Sequence, residues 1–340
     1  MWLPKTRPHL KEEDDQMARR ILKIDSQTAA KDISGKVYIV TGANSGVGLE
    51  TTRQLVKQGG HVVMACRRIE AGEAEAQSFH GLKGSYEVMR LDLADLQSVR
   101  DFVDAFSQEH NRLDGLACNA GLVDMAGDGP NFTKDGLEMT IGISYFGHFL
   151  LTELLLETLK KSAPSRMVIL SSVVHAGNPK NRPKVHLDDL NFKNRPYNNF
   201  AAYAEAKVAT NLYAMELGKR LEGTGVSAFS VHPGWARSNF GSGGNFIMRT
   251  LMGIARPLTR SMSDSNEDSA QTSLHCLLSD DAPNHSGAYF SQSSVLYRDP
   301  GTKDGGWPMT SPNPHAKDLE TARKLVDLSY GLVGLKEKQL

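Results

Sequence analysis

The chain contains few cysteines, and their placement argues against a disulfide-rich protein and against a cysteine-ligated zinc site. Only Cys66, Cys118 and Cys276 occur in 340 residues, and no two of them form a C-x-x-C pair. This spacing indicates neither a disulfide framework nor a zinc site, so we expect no bound metal. Isolated cysteines are also typical of a reducing compartment, which favours a cytoplasmic location.

The chain also lacks net charge and long apolar runs. Its 39 basic and 39 acidic side chains leave a formal net charge of zero, so nothing attracts it in bulk to nucleic acid or to an anionic membrane. No run approaches the ~18 apolar residues of a membrane span, and we expect no transmembrane segment. The first 33 residues mix basic and acidic side chains without an apolar core, unlike a secretory or transit leader.

What the chain does contain is a regular alternation that starts at residue 36. Short β-branched runs alternate with stretches of helical period, which predicts parallel strands joined by helices. Right-handed crossovers place the carboxyl ends of such strands at one edge, where ligands bind. We therefore expect an α/β fold, a doubly wound parallel sheet of the Rossmann type with helices on both faces. The predicted strands are 37–40, 61–65, 86–91, 113–118, 167–170 and 226–231, and the predicted helices are 46–58, 70–79, 95–109, 136–161, 200–221 and 317–330, the last capped by Gly331.

Length alone suggests about two domains, but the alternation predicts one domain over 35–335. Residues 1–34 are an extension in which Met17, Ile21 and Ile24 share one face of a short amphipathic helix, packed on the domain or on a partner. Residues 240–268 are rich in glycine and then basic and amphipathic, which predicts a flap over the substrate. A helix lying on a membrane surface is the alternative for that segment.

The segment Thr41–Gly48 joins the first predicted strand to the first predicted helix. Gly42 suits a tight turn, Gly46 a close approach of a pyrophosphate, and Gly48 close packing of the helix on the sheet. The N–H groups at the helix start then face the phosphates. A purely structural turn is the alternative, but the strand–turn–helix context favours a dinucleotide site. The predicted contacts come from Gly42, Asn44, Ser45, Gly46, Val47 and Gly48.

The end of the second strand indicates which dinucleotide binds. An NAD site usually places an acid there, but this chain has Cys66-Arg67-Arg68. Arg67 suits charge-assisted hydrogen bonds to a 2′-phosphate, although a solvated surface pair of arginines is the alternative. The missing acid and the present base together favour NADP(H).

Two further stretches follow strand ends on the same edge. Asp92-Leu93 comes after the third strand, where Asp92 suits the adenine amino group. Asn119-Ala120-Gly121 comes after the fourth strand, where it suits the ribose. Each stretch by itself is as compatible with a turn as with a ligand contact.

The candidate catalytic pair is Tyr203 and Lys207, near the start of a predicted helix. Their i,i+4 spacing places them on one face, where an ammonium would lower the pKa of the phenol. Such a phenol can donate a proton to a developing alkoxide or accept one from an alcohol. Ser172 ends the preceding strand on the ligand edge and can hold the substrate oxygen beside Tyr203.

Together these motifs resemble the short-chain dehydrogenase/reductase family over roughly 35–335. The resemblance implies that Ser172 orients a carbonyl, Tyr203 transfers the proton, and Lys207 binds the nicotinamide ribose. It also implies that the backbone around Trp235 and the hydroxyl of Ser238 meet the nicotinamide amide. The matching positions, in chain order, are Thr41–Gly48, Asn119, Ala120, Gly121, Ser172, Tyr203, Lys207, His232, Pro233 and Gly234.

Within the family, the chain is most similar to the retinol-dehydrogenase-like and the light-dependent protochlorophyllide-reductase-like branches. Ser144 stands where the family usually has an Asn that holds a water for proton relay, so we include Ser144 in the catalytic set. Ala209 replaces a Cys of the protochlorophyllide enzymes, which disfavours that branch. The insert 174–199 is loop-like and either borders the substrate pocket or is a solvated excursion.

We therefore expect an NADP(H)-dependent oxidoreductase that moves a hydride between nicotinamide and a lipophilic carbonyl or alcohol of retinoid, steroid or polyketide type. Reduction of a C=C bond in a tetrapyrrole is the chemical alternative. A non-catalytic NADP(H)-binding regulatory protein is the alternative from another class, motivated by Ser144. The expected partner is the small substrate, with no nucleic acid, and a homo-oligomer is compatible with the sequence.

Overall fold

A computed structural model describes residues 20–127, 129–236, 263–294 and 303–336, and strands and helices alternate along most of it. The strands are β1 Val37–Thr41, β2 His61–Cys66, β3 Ser85–Arg90, β4 Gly115–Cys118, β5 Ser165–Leu170, β6 Val226–His232, β7 Tyr289–Ser291 and β8 Gly306–Met309. The helices are α1 Ser26–Ala30, α2 Gly46–Lys57, α3 Ile69–Ala76, α4 Leu96–Glu109, α5 Met139–Lys161, α6 Asn199–Arg220, α7 Asn266–Leu278 and α8 Leu319–Leu332.

All eight strands form one sheet in the order β3-β2-β1-β4-β5-β6-β7-β8. Every neighbouring pair is parallel except β7 and β8, which are antiparallel. The predicted doubly wound sheet is therefore confirmed. Strands β7 and β8, at one end of the sheet, and helices α1 and α7 were missing from the prediction.

Alternate residues of the central strands feed two apolar cores, one on each face of the sheet. Ile39 and Val63 point into the core that α4, α5 and α6 cover. Val40 and Met64 point into the opposite core, under α2 and α7. Because both faces are covered, these strands read as continuous apolar runs rather than as alternating ones. The same arrangement sends every strand from β1 to β6 toward one common carboxyl edge.

Helix α5 crosses the middle of the domain. It is long and apolar enough to span a membrane, but 89% of its most apolar window is buried inside the fold, as in the core helix of a folded domain. It starts at Met139 because the Glu138 carboxylate accepts the N–H groups of Thr140 and Ile141 as an N-cap. Residues Gly142–Phe146 form a π-helical turn within it, a feature often found at functional sites.

The two ends of the described chain differ from the prediction. Residues 20–24 are not helical, because the N–H groups of Leu22 and Ile24 are donated to side chains of Gln292 and Gln271 instead. That part of the predicted amphipathic helix is wrong, and Met17 lies outside the described residues.

The C-terminal helix α8 continues through Gly331, so the predicted cap is also wrong. The N–H of Gly334 reaches the carbonyl of Gly331, and the N–H of Leu335 reaches that of Tyr330. This pair of bonds is a Schellman ending with Gly334 as the terminal glycine.

Candidate active site

Thr41, at the carboxyl end of β1, connects this strand to the residues that follow β4 at the ligand edge. Its hydroxyl oxygen accepts the N–H groups of Asn119 and Ala120, each at 2.9 Å. The Asn119 amide in turn donates to the Thr41 carbonyl at 2.9 Å. The predicted ribose stretch therefore lies directly beside the glycine turn, and the amide oxygen of Asn119 is buried without a partner among the described residues.

The glycine turn packs as its sequence predicts. A Cβ on Gly48 would lie 2.5 Å from both the Asn119 amide nitrogen and the Gly42 carbonyl oxygen, so no side chain fits there. Ser45 precedes α2 without a side-chain capping bond. The N–H groups of the first helical turn have no intrahelical acceptor and can bind an anion. Val47 and Gly48 are buried, whereas Ser45 is exposed at the edge, which fits a pyrophosphate cradle.

The end of β2 is basic rather than acidic. Cys66 is buried beneath the glycine turn, where it accepts the backbone N–H groups of Ala43 and Asn44, and burial raises the pKa of its thiol to about 11. The next residue, Arg67, is exposed and forms no ion pair with the rest of the described chain. Its guanidinium is thus available to an anion at this edge.

Asp92 and Leu93 follow β3 in a tight turn. The Asp92 carboxylate accepts the N–H of Ala94 at 3.0 Å, and its own N–H is donated to Ser98. Leu93 is buried against Gly147 of α5. Of the two alternatives for Asp92, the structure shows the turn. A contact between Asp92 and adenine stays a prediction.

Ser172, Tyr203 and Lys207 meet at the carboxyl end of β5. The hydroxyls of Ser172 and Tyr203 share a hydrogen bond. The Lys207 ammonium lies 5.6 Å from the centre of the Tyr203 ring and donates to the Leu170 carbonyl at 2.6 Å. Ser171 fixes this register, because its hydroxyl donates to the Lys207 carbonyl at 3.0 Å.

The pKa shifts of Tyr203 and Lys207 differ from the expectation. Burial raises the pKa of Tyr203, and the hydrogen bond to Ser172 opposes this only in part. Burial also lowers the pKa of Lys207 to about 7. The expected lowering of the Tyr203 pKa by Lys207 is therefore wrong in this structure, because burial of the phenol raises its pKa and only the hydrogen bond to Ser172 opposes the increase.

Ser144 lies in the π-helical turn of α5 and faces Lys207. Its buried hydroxyl has no partner among the described residues. The Ser144 hydroxyl oxygen and the Lys207 nitrogen both lie 3.5 Å from the position that a Cβ on Gly121 would occupy, so they border one small space. His148, one turn further on, contacts the Thr41 hydroxyl at 2.9 Å, and burial lowers its pKa to about 3. His148 is thus a buried, hydrogen-bonded residue of α5.

Pro233, Gly234 and Trp235 follow β6 at the same edge. Gly234 has φ +91°, and a Cβ there would lie 2.4 Å from the carboxylate of Asp264. That carboxylate accepts the Trp235 N–H at 2.8 Å, and the Asp264 N–H returns a bond to the Trp235 carbonyl. Sequence reasoning missed Asp264, which no motif marks. Ser238 and 240–262 of the predicted flap lie outside the described residues.

His175 is a second residue that sequence reasoning missed. Its ring contacts the Ser172 carbonyl at 2.6 Å and the Ser311 hydroxyl at 2.8 Å, so it ties Ser172 to the C-terminal segment. The insert 174–199, which contains His175, is packed in part: Leu190 and Phe192 are buried, whereas Pro179 and Lys180 are exposed. The solvated-excursion alternative therefore does not describe the part of the insert around Leu190 and Phe192.

Comparison with known proteins agrees with this geometry. A family model described as short chain dehydrogenase matches residues 36–182. Retinol dehydrogenase 13 of Homo sapiens is 39% identical over 311 residues, which cover 89% of this chain and 86% of the relative. Retinol dehydrogenase 12 of Mus musculus is 37% identical over 310 residues, which cover 91% and 89%.

Solved structures show the same fold. An uncharacterized protein from Mycobacterium Paratuberculosis superposes with a TM-score of 0.69 at 29% identity, covering 90% of this chain and 96% of the other. The Pseudomonas aeruginosa RhlG/NADP active-site complex superposes with a TM-score of 0.59 at 19% identity, covering 77% and 96%. The chain therefore belongs to the short-chain dehydrogenase/reductase family, among its retinol-dehydrogenase-like members, and is an oxidoreductase.

Proposed function

We propose that the protein is an NADP(H)-dependent oxidoreductase for a lipophilic carbonyl or alcohol, such as a retinoid or steroid. The observation that carries the proposal is the hydrogen-bonded Ser172–Tyr203 pair beside Lys207, at the sheet edge that also holds the glycine turn. The names of the relatives, which are retinol dehydrogenases, support an apolar alcohol or aldehyde as substrate.

The residues divide the chemistry between them. A bound nicotinamide would supply or accept the hydride. The Ser172 hydroxyl holds the substrate oxygen, and Tyr203, kept as a neutral phenol by its raised pKa, donates a proton to that oxygen during reduction. Lys207, with a pKa near 7, can return a proton toward Tyr203. The space between Ser144 and Lys207 suits a water that connects this lysine to solvent.

Support for the phosphorylated cofactor comes from Arg67, which is exposed at the end of β2 where no carboxylate stands. Charge-assisted bonds contribute roughly 1.5–3 kcal/mol, which corresponds to about 10- to 100-fold in affinity. NADPH should therefore bind about that much more tightly than NADH, and Arg67→Ala should remove the difference in a fluorescence titration. The neighbouring Arg68→Ala is the control. Equal affinities in the unchanged protein contradict the assignment.

The activity is tested by Tyr203→Phe, which keeps the ring and removes the phenol. We expect kcat to fall by at least the ~10²–10⁴-fold that general acid catalysis supplies, with NADPH affinity retained. Tyr86→Phe, on β3, is the matched control and should keep full activity. Normal turnover by the Tyr203 variant would falsify the assignment of roles.

Turnover assays also distinguish the proposed activity from C=C reduction and from a non-catalytic NADP(H)-binding protein. Retinoid, steroid and protochlorophyllide panels separate carbonyl chemistry from C=C reduction, and light dependence would favour the pigment substrate. Binding of NADPH without turnover across all panels would favour the regulatory protein. The cytoplasmic location and a homo-oligomer stay predictions, to be checked by cell fractionation and by light scattering.

A further inference from the structure

Three metal-ligating side chains meet at the edge of the sheet opposite the active site. His61 begins β2, Glu87 lies within the neighbouring edge strand β3, and His110 follows the last residue of α4. Because α4 runs back against the strands, its end lies beside the strand starts and away from Tyr203. The three are separated by more than 20 residues in sequence, so no spacing motif reveals them.

Their ligand atoms converge on one point. The Nε2 atoms of His61 and His110 lie 3.2 and 2.5 Å from the same carboxylate oxygen of Glu87. All three atoms lie within 4.8 Å of one another. Zinc binds imidazole nitrogen at about 2.0–2.1 Å and carboxylate oxygen at about 2.0–2.2 Å, which separates tetrahedral ligand atoms by roughly 3.3–3.5 Å. The His61 contact already has nearly this length, and the His110 contact must open by about 1 Å.

Neighbouring groups hold both imidazoles in place. The Nδ1 atom of His61 contacts the Ser85 hydroxyl at 2.8 Å, the kind of bond that orients a metal-bound histidine. The ring of His110 stacks on Phe106 with centroids 4.9 Å apart. The ligand side chains are 16–35% exposed, so an ion can enter and a water can take the fourth position.

We propose that His61, Glu87 and His110 form a binding site for a divalent metal of the zinc type, with two imidazoles, one carboxylate and one water as ligands. It is the one such group of three among the described residues. The chain's three cysteines do not compete for the ion, because all are buried. The metal joins β2, β3 and α4, and it stabilises this half of the fold without contributing to turnover.

Calorimetric titration of tag-free, chelator-treated protein with Zn²⁺ tests the proposal. We expect one equivalent to bind, to raise the Tm, and to leave NADPH affinity unchanged. His61→Gln, His110→Gln and Glu87→Gln should each abolish the site, whereas the exposed His80→Gln serves as the control and retains it. Ser85→Ala should keep the ligands but weaken affinity by about 10- to 100-fold.

A second probe identifies the coordination directly. Co²⁺ bound to four ligands gives intense visible absorption, which should appear at one equivalent and disappear in the three ligand variants. Failure of Zn²⁺ to bind would overturn the proposal, and so would binding that survives in folded His61→Gln and His110→Gln proteins. Because NADPH binding and turnover are read separately, failure here leaves the proposed function intact.

Discussion

Lys207 should make the protein less stable than it would be with an apolar residue at that position, and the effect should depend on pH. Burial lowers the pKa of this side chain from 10.5 to about 7. One pKa unit corresponds to about 1.36 kcal/mol. At pH 7 the folded state therefore carries a penalty of about 4 kcal/mol relative to a neutral side chain, and at pH 9 about 2 kcal/mol.

The sign follows from proton binding. Between pH 7 and 10.5 the unfolded chain holds more protons on this lysine than the folded chain does, so the penalty is complete below pH 7 and fades as pH rises. Lys207→Met removes it. The variant also leaves the Leu170 carbonyl without its donor, which costs about 1–3 kcal/mol. Net stabilisation at pH 7 should be about 1–3 kcal/mol, falling by about 2 kcal/mol at pH 9.

Urea unfolding at pH 7 and pH 9, followed by tryptophan fluorescence without added cofactor, measures this difference. Lys219→Met, an exposed position on the same helix, is the control and should show no such pH dependence. Turnover of Lys207→Met should be lost. A difference in unfolding free energy between Lys207→Met and the unchanged protein that is equal at both pH values would refute the reasoning. In the expected result, Lys207 lowers the stability of the folded protein and is required for its activity.

The central fold was predictable because its signals are local. Strands β1 and β2 contain continuous apolar runs, β6 is buried throughout, and the glycine turn marks where β1 ends and α2 begins. Strands β7 and β8 span three and four residues, too few to show a period, and β8 contains Pro308. Their place depends on pairing with a distant strand, which no local pattern encodes.

The candidate site was predictable as a set of residues but not as an electrostatic environment. Tyr203 and Lys207 are recognisable from their spacing, yet the direction of the Tyr203 pKa shift depends on how deeply α6 is buried. The residues on every side of this helix segment are buried, including Glu205 and Thr210. Tyr203 and Lys207 therefore do not lie on a solvent-exposed face of α6. Asp264 reaches Trp235 across 29 residues, and such a contact is visible only in the folded chain.

Substitutions at two further positions, Gly48 and Ser144, probe the cofactor edge. Gly48→Ala should weaken NADPH binding or folding by about 1–3 kcal/mol, because its Cβ meets backbone at 2.5 Å; Gly331→Ala, with nothing within 4 Å, is the control in titrations and thermal melts. Ser144→Asn should retain or raise kcat, because an amide in the space beside Lys207 can hold a relay water. Ser144→Ala should lower kcat and shift its pH profile. A profile identical in all three proteins would exclude Ser144 from proton transfer.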